Sequence, residues 1–137
     1  MEKQTGQCLC GEIRYSFTDE PIAAAHCHCL DCQKATGCGF ATVFGLAGQD
    51  VELFGQESLG EFTLKARSGL SVTRLFCQNC GSPMFTKAEN NPDFIWIKAG
   101  SLDQSDWLKP TDSCWTGSAV IWAQADPTTT HHRGNPE

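Results

Sequence analysis

Nine cysteines in a chain of 137 residues constrain the fold more than any other feature, because seven of them fall in three tight clusters. The first is Cys8-Leu9-Cys10-Gly11, the second Cys27-His28-Cys29-Leu30-Asp31-Cys32, and the third Cys77-Gln78-Asn79-Cys80-Gly81; Cys38 and Cys114 stand alone. A secreted protein of this size would use such residues as disulfides, whereas a cytosolic one would use them as metal ligands or reactive thiols. An odd number cannot pair completely within the chain, and the clustering is local rather than spread. Residues 1–5 also lack the apolar segment of a secretory signal. The expectation is a cytoplasmic metal-binding protein.

Spacing gives the geometry. In an extended segment residues i and i+2 point to one side, so Cys-x-Cys presents two sulfurs as a chelating pair. Cys-x-x-Cys does the same from a tight turn and is a familiar structural-zinc spacing. Gly11 and Gly81 follow their cysteines directly, and glycine permits the positive φ that turns the backbone back toward the sulfurs. These shared features pair Cys8 and Cys10 with Cys77 and Cys80 as one closed four-thiolate site, joining an N-terminal strand to a turn more than 60 residues later. The binding energy of such a site is partly folding energy.

Cys27, Cys29 and Cys32 remain. Three ligands leave a fourth tetrahedral position open, the mark of a catalytic or ligand-binding zinc. His28 lies between two same-face cysteines and should point away from the metal. The alternatives are a closed site with His26 or Cys38 as fourth ligand, or a redox dithiol. Zinc suits tetrahedral thiolate sites, although iron is also bound by cysteine sulfur. Three thiolates would leave Zn²⁺ with a net negative charge, favouring presentation of a thiolate over activation of water.

The rest of the chain reads as all-β with short helical turns, in a single domain over residues 1–125. Residues 11–17 alternate, with Ile13, Tyr15 and Phe17 on one face. Further strands are expected over 40–44, 51–54, 61–64, 71–77, 84–86 and 94–99, separated by Asp/Gly/Asn/Pro clusters. Helical turns are expected at 30–36, ending at Gly37, and at 103–108 before Pro110. Residues 126–137, rich in Pro, Thr and His, read as a loose tail or surface extension. No apolar run approaches the roughly 20 residues that span a bilayer. A formal net charge of −6 argues against nucleic-acid partners.

Taken together, these motifs resemble the glutathione-dependent formaldehyde-activating enzyme (GFA) family nearly end to end. Gly6-Gln7-Cys8-Leu9-Cys10-Gly11-Glu12-Ile13-Arg14-Tyr15 is similar to the family's opening motif. Cys27 to Lys34 with Thr36-Gly37-Cys38-Gly39-Phe40 resembles its second motif, and Arg74 to Pro83 its third. Ala99-Gly100-Ser101-Leu102-Asp103 and Pro110 resemble its C-terminal signature. The resemblance implies a β-tent of packed antiparallel sheets tied by two zinc ions, one structural and one catalytic at Cys27, Cys29 and Cys32. It also implies a carbon–sulfur lyase that condenses formaldehyde with glutathione to S-(hydroxymethyl)glutathione. One departure is Ser113, which stands where the family commonly has a histidine.

Glutathione carries two carboxylates, and Lys34 and Arg74 are the candidate partners for them, although most such residues are solvated surface charges. Cys38 reads as a small buried side chain. His131 and His132 read as solvated tail residues. Trp96, Trp107, Trp115 and Trp122 read as core or edge packing, one of which could flank a ligand. Two competing functions remain: a non-catalytic zinc module for a protein partner, which a closed second site or an exposed apolar patch would favour, and a B-type methionine sulfoxide reductase, for which only Cys38 and Cys114 could supply the redox thiol.

Overall fold

Alternation builds the core from two sheets. The computed structural model describes residues 1–136. Its strands are β1 (Gln4–Gln7), β2 (Arg14–Phe17), β3 (Ala23–Cys27), β4 (Ala41–Ala47), β5 (Glu52–Phe54), β6 (Leu59–Lys65), β7 (Ser71–Cys77), β8 (Pro83–Ala88), β9 (Phe94–Lys98), β10 (Asp112–Cys114) and β11 (Thr130–His131). One α-helix, α1 (Leu30–Thr36), accompanies them among the described residues. The smaller sheet has the order β1-β2-β5 and the larger the order β11-β10-β3-β4-β9-β8-β7-β6. No helix of the described residues is long and apolar enough to cross a membrane.

Ile13, Tyr15 and Phe17 are buried as their alternation requires, and they meet the larger sheet through Phe44, Phe85, Ile95 and Ile97. Tyr15 sets its ring edge-on to Phe85 at 5.8 Å, and Phe17 tilts against Phe44 at 5.5 Å. β9 shows how the larger sheet divides its faces. Ile95 and Ile97 enter the core, while Phe94, Trp96 and Lys98 point to the opposite side. That opposite side carries the cavity described below.

Most pairing is antiparallel, as expected, but β10 runs parallel to both β3 and β11. Four strands escape the sequence pattern. β1 is largely polar, β10 and β11 are very short, and β3 reads Ala-Ala-Ala-His-Cys. Alanine has low β preference, and here five residue pairs with β4 override it. The turn expected to be helical at 103–108 is not a helix. The Thr5 hydroxyl donates to Asp103 Oδ2 at 2.6 Å, and the Trp107 indole N–H donates to Gln104 O at 2.7 Å, which holds the segment in a bend. Trp107 lies against Phe17 and Phe44.

The described part of 126–137 is an attached extension rather than a loose tail. Thr129 is buried with its hydroxyl 2.6 Å from Ser113 Oγ, and the Trp115 N–H donates to Gly134 O at 2.9 Å. His132, expected in solvent, places Nε2 2.7 Å from Asp112 Oδ1. The Asp112 carboxyl is held below its ordinary value by the Thr111 hydroxyl and then by His132.

Gly6 pairs with Tyr15 across β1 and β2, and a side-chain carbon on Gly6 would overlap the Tyr15 ring. That ring has no room to retreat, since it is buried and its hydroxyl is 2.8 Å from Ser101 Oγ. Gly6→Ala is therefore expected to lower the unfolding free energy by about 1–3 kcal/mol, measured by urea titration. A loss under about 0.5 kcal/mol would show that the pair can separate.

Candidate metal centres

Two turns build the first cluster. After β1 the chain bends so that the Gly11 N–H donates to Cys8 O at 3.1 Å, with Gly11 at φ 82°. After β7 the Gly81 N–H donates to Cys77 O at 2.8 Å, with Gly81 at φ 79°. Both glycines thus take the left-handed conformation that their place after a cysteine suggests. The Ile13 N–H points at Cys8 Sγ at 3.3 Å. Ser82 joins the turns, accepting from the Leu9 N–H at 3.0 Å with its hydroxyl 3.2 Å from Cys80 Sγ.

The sulfurs of Cys8, Cys10, Cys77 and Cys80 lie within 4.8 Å of one another. Cys8 Sγ is 3.6 Å from Cys10 Sγ, and Cys10 Sγ is 3.7 Å from Cys77 Sγ. A tetrahedron with Zn–S bonds of about 2.3 Å has S···S edges of about 3.8 Å, whereas a disulfide needs about 2.05 Å. The donor set therefore fits a tetrahedral thiolate metal such as zinc. Cys8 and Cys77 are buried beneath the turns.

The second cluster sits at the junction of β3 and α1. Cys27 ends β3, Cys29 caps the helix, and Cys32 lies in its first turn, with the Cys32 N–H donating to Cys29 Sγ at 3.2 Å. Their sulfurs also lie within 4.8 Å of one another, and all three residues are half-buried. Gly37, at φ 69°, ends the helix where expected. Neither His26 nor Cys38 joins this group. His26 Nδ1 is 2.8 Å from Thr42 Oγ1, and Cys38 is exposed rather than buried. His28 is buried against Phe40, and neither of its ring nitrogens has a hydrogen-bond partner among the described residues.

The three thiols face a cavity of about 460 Å³ on the outer face of the larger sheet. Arg74, Lys98, Trp96, Trp115 and Cys114 also line it. Lys34, a candidate for substrate carboxylates, is exposed on α1 and is not among the lining residues, whereas Arg74 is. Lys98, rather than Lys34, is the lysine that lines the cavity. The signal for it was available, since β9 alternates and sends Trp96 and Lys98 to one face. Cys114, which stands alone in the sequence, lies opposite Cys27 in the β10–β3 pair. Gln33, also missed, donates to His28 O at 2.9 Å and Ser118 O at 3.1 Å, fixing the helix to its neighbours. Trp122 is exposed and lies outside the cavity.

The three thiols do not titrate alike. Hydrogen bonds from Cys27 and Cys32, together with the Cys32 N–H and the Arg74 charge, hold Cys29 far below the ordinary thiol value. The same contacts raise Cys27, because its neighbour already carries the negative charge. Cys32 is also raised. Burial pushes the Lys98 ammonium down, opposed by the nearby thiols. Burial likewise raises Cys114, to about 11, which leaves it a neutral thiol at neutral pH.

Comparison with known proteins adds an independent line. The model of the family described as glutathione-dependent formaldehyde-activating enzyme matches residues 3–118. An uncharacterized lyase of Schizosaccharomyces pombe is 28% identical over 104 residues, covering 73% of this chain and 72% of that protein. A crystal structure of a Rhodobacter sphaeroides protein superposes with a TM-score of 0.57 at 21% identity, covering 77% of this chain and 91% of the other, which shows a shared fold.

A metal ion requires its thiol ligands deprotonated. With Cys29 already ionised, zinc entry at the second cluster at pH 7 is expected to release about two protons, read from calorimetry in buffers of different ionisation enthalpy on protein with the first site filled. Release of about three would show that no thiolate waits on Cys29.

Proposed function

The chain belongs to the glutathione-dependent formaldehyde-activating enzyme family, and on that premise we propose that it is a zinc-dependent lyase that makes or breaks a carbon–sulfur bond between glutathione, or another small thiol, and formaldehyde or a related aldehyde. Membership of this family and similarity to a named lyase support a lyase-type enzyme. The observation that carries the finer reading is the second cluster: three half-buried thiols open onto a cavity also lined by three cations, Arg67, Arg74 and Lys98.

In this reading Cys8, Cys10, Cys77 and Cys80 hold a structural zinc, and Cys27, Cys29 and Cys32 hold a second one. A zinc ion at the second cluster would favour the thiolate form of a bound thiol at neutral pH. Arg74 and Lys98 orient the substrate through its carboxylates, which charge-assisted hydrogen bonds recognise well. Gln33 keeps α1, and with it Cys29 and Cys32, fixed against β3 and the 116–118 turn. In the forward direction the thiol sulfur joins the aldehyde carbon, and the carbonyl oxygen ends as a hydroxyl carrying the proton the thiol gave up.

A second reading, a non-catalytic module for a protein partner, draws on Ile121 and Trp122, which are 89% and 72% exposed. Those residues lie outside the cavity lining, so they do not account for the three thiols facing it.

The test is exchange NMR between glutathione plus formaldehyde and their adduct, with and without the zinc-loaded protein. The reading predicts faster exchange with wild type and none above background with Cys29→Ser. Arg74→Gln should raise KM about 10–100-fold, the loss of one charged hydrogen bond of about 1.5–3 kcal/mol. Background exchange with fully zinc-loaded wild type would remove glutathione and formaldehyde as substrates.

A further inference from the structure

The cavity has a more apolar floor than formaldehyde can use. Its floor is the outer face of five neighbouring strands, to which Ala25, Val43, Trp96, Ala88 and Val72 contribute from β3, β4, β9, β8 and β7. Strands stand about 4.8 Å apart, so this floor extends about 19 Å from the edge near the thiols. The hairpin between β6 and β7 borders the far end with Ala66 and Leu70 and with the polar Arg67 and Ser68.

Polar groups at the middle and one side of the floor are already engaged. Thr86 Oγ1 accepts from Lys98 Nζ at 3.1 Å. Asp112 accepts from the Thr111 hydroxyl at 2.6 Å and faces His132 at 2.7 Å. A peptide-like substrate lying along this floor would leave its own N–H and C=O groups unpaired, which is costly. Formaldehyde has no tail to use the surface at all. A hydrocarbon tail gains from it directly. The alanines of β3 matter here, because larger side chains at Ala23 and Ala25 would fill the trough.

We infer that the aldehyde component has an apolar tail of several carbons, aliphatic or aromatic, that lies in this trough while the thiol component occupies the three-cysteine end. This rests on the reading of the second cluster as a thiol site and names the substrate class it serves. The chemistry balances without an oxidant or reductant. The thiol R–SH adds to R′–CHO to give R–S–CH(OH)–R′: the C–S bond forms, the C=O π pair becomes the hydroxyl, and the thiol proton ends on that oxygen.

Stable thioether mimics separate the two ideas. S-hexylglutathione and S-methylglutathione share the glutathione part and differ only in the tail. Titration calorimetry on the zinc-loaded protein is expected to find the hexyl compound at least about tenfold tighter. The ratio should fall toward one in Val72→Asp, and in Ala88→Asp should the first variant fail to fold. Equal affinities in wild type, or a ratio that survives a folded variant, would overturn the apolar subsite and leave the glutathione reading standing. If neither mimic binds, 1-hexanethiol is titrated against tryptophan fluorescence. Quenching that is lost in the same variants upholds the subsite and removes glutathione from the function. No quenching overturns the subsite.

Discussion

The sulfurs of Cys8, Cys10, Cys77 and Cys80 connect two turns that belong to different sheets and lie, at Cys10 and Cys77, 67 residues apart. The first turn leads from β1 into β2 of the small sheet, and the second leads from β7 into β8 of the large one. Few other constraints fix the angle between the sheets so directly. A bridge between Gly6 and Leu102, and the Asp103–Thr5 hydrogen bonds, hold the same edge from the other side. With this edge fixed, Tyr15 and Phe17 meet Phe85 and Phe44. A metal at this cluster would add its binding energy to folding, which matters in a chain whose core lies between a three-stranded sheet and a much wider one.

The wide sheet then has a face to spare. Its inner residues fill the core, and its outer residues are left to the second cluster and the cavity. The same strand supplies both: Ile95 and Ile97 pack inward while Trp96 and Lys98 face out. The site is therefore built on regular strands, which hold side chains more rigidly than loops do. Of the three thiols, Cys29 and Cys32 come from outside the sheet. Gln33 and the αL stop at Gly37 keep that short helix in place. The open cluster depends on the closed one through this chain of support, but it does not hold the sheets together itself.

Much of this was legible in the sequence, for identifiable physical reasons. Thiol spacing and the glycines after Cys10 and Cys80 fix local geometry, so the pairing of the first and third motifs could be derived without a fold. Strong alternation around Ile13, Tyr15 and Phe17 identified a core face. What escaped depended on tertiary pairing. β3 is three alanines, a histidine and a cysteine, and becomes a strand through its neighbours β4 and β10. Residues 126–136 carry no apolar pattern, yet Thr129 and His132 hydrogen-bond to Ser113 and Asp112 and hold β11 in place. Lys34 sits near the cysteines in sequence, but the helix turns it to solvent. Lys98 is distant in sequence, and the β4–β9 pairing, which sets it opposite Val43, carries it to the cavity.

The central claim is that the two clusters differ in kind, one holding the fold and the other serving the cavity. The most direct test is zinc content per chain, with circular dichroism, for wild type, Cys29→Ser and Cys80→Ser. The account predicts about two zinc ions in wild type, about one in a still-folded Cys29→Ser, and loss of the native spectrum in Cys80→Ser. A Cys29→Ser protein that unfolds, or a Cys80→Ser protein that keeps its fold, would contradict it.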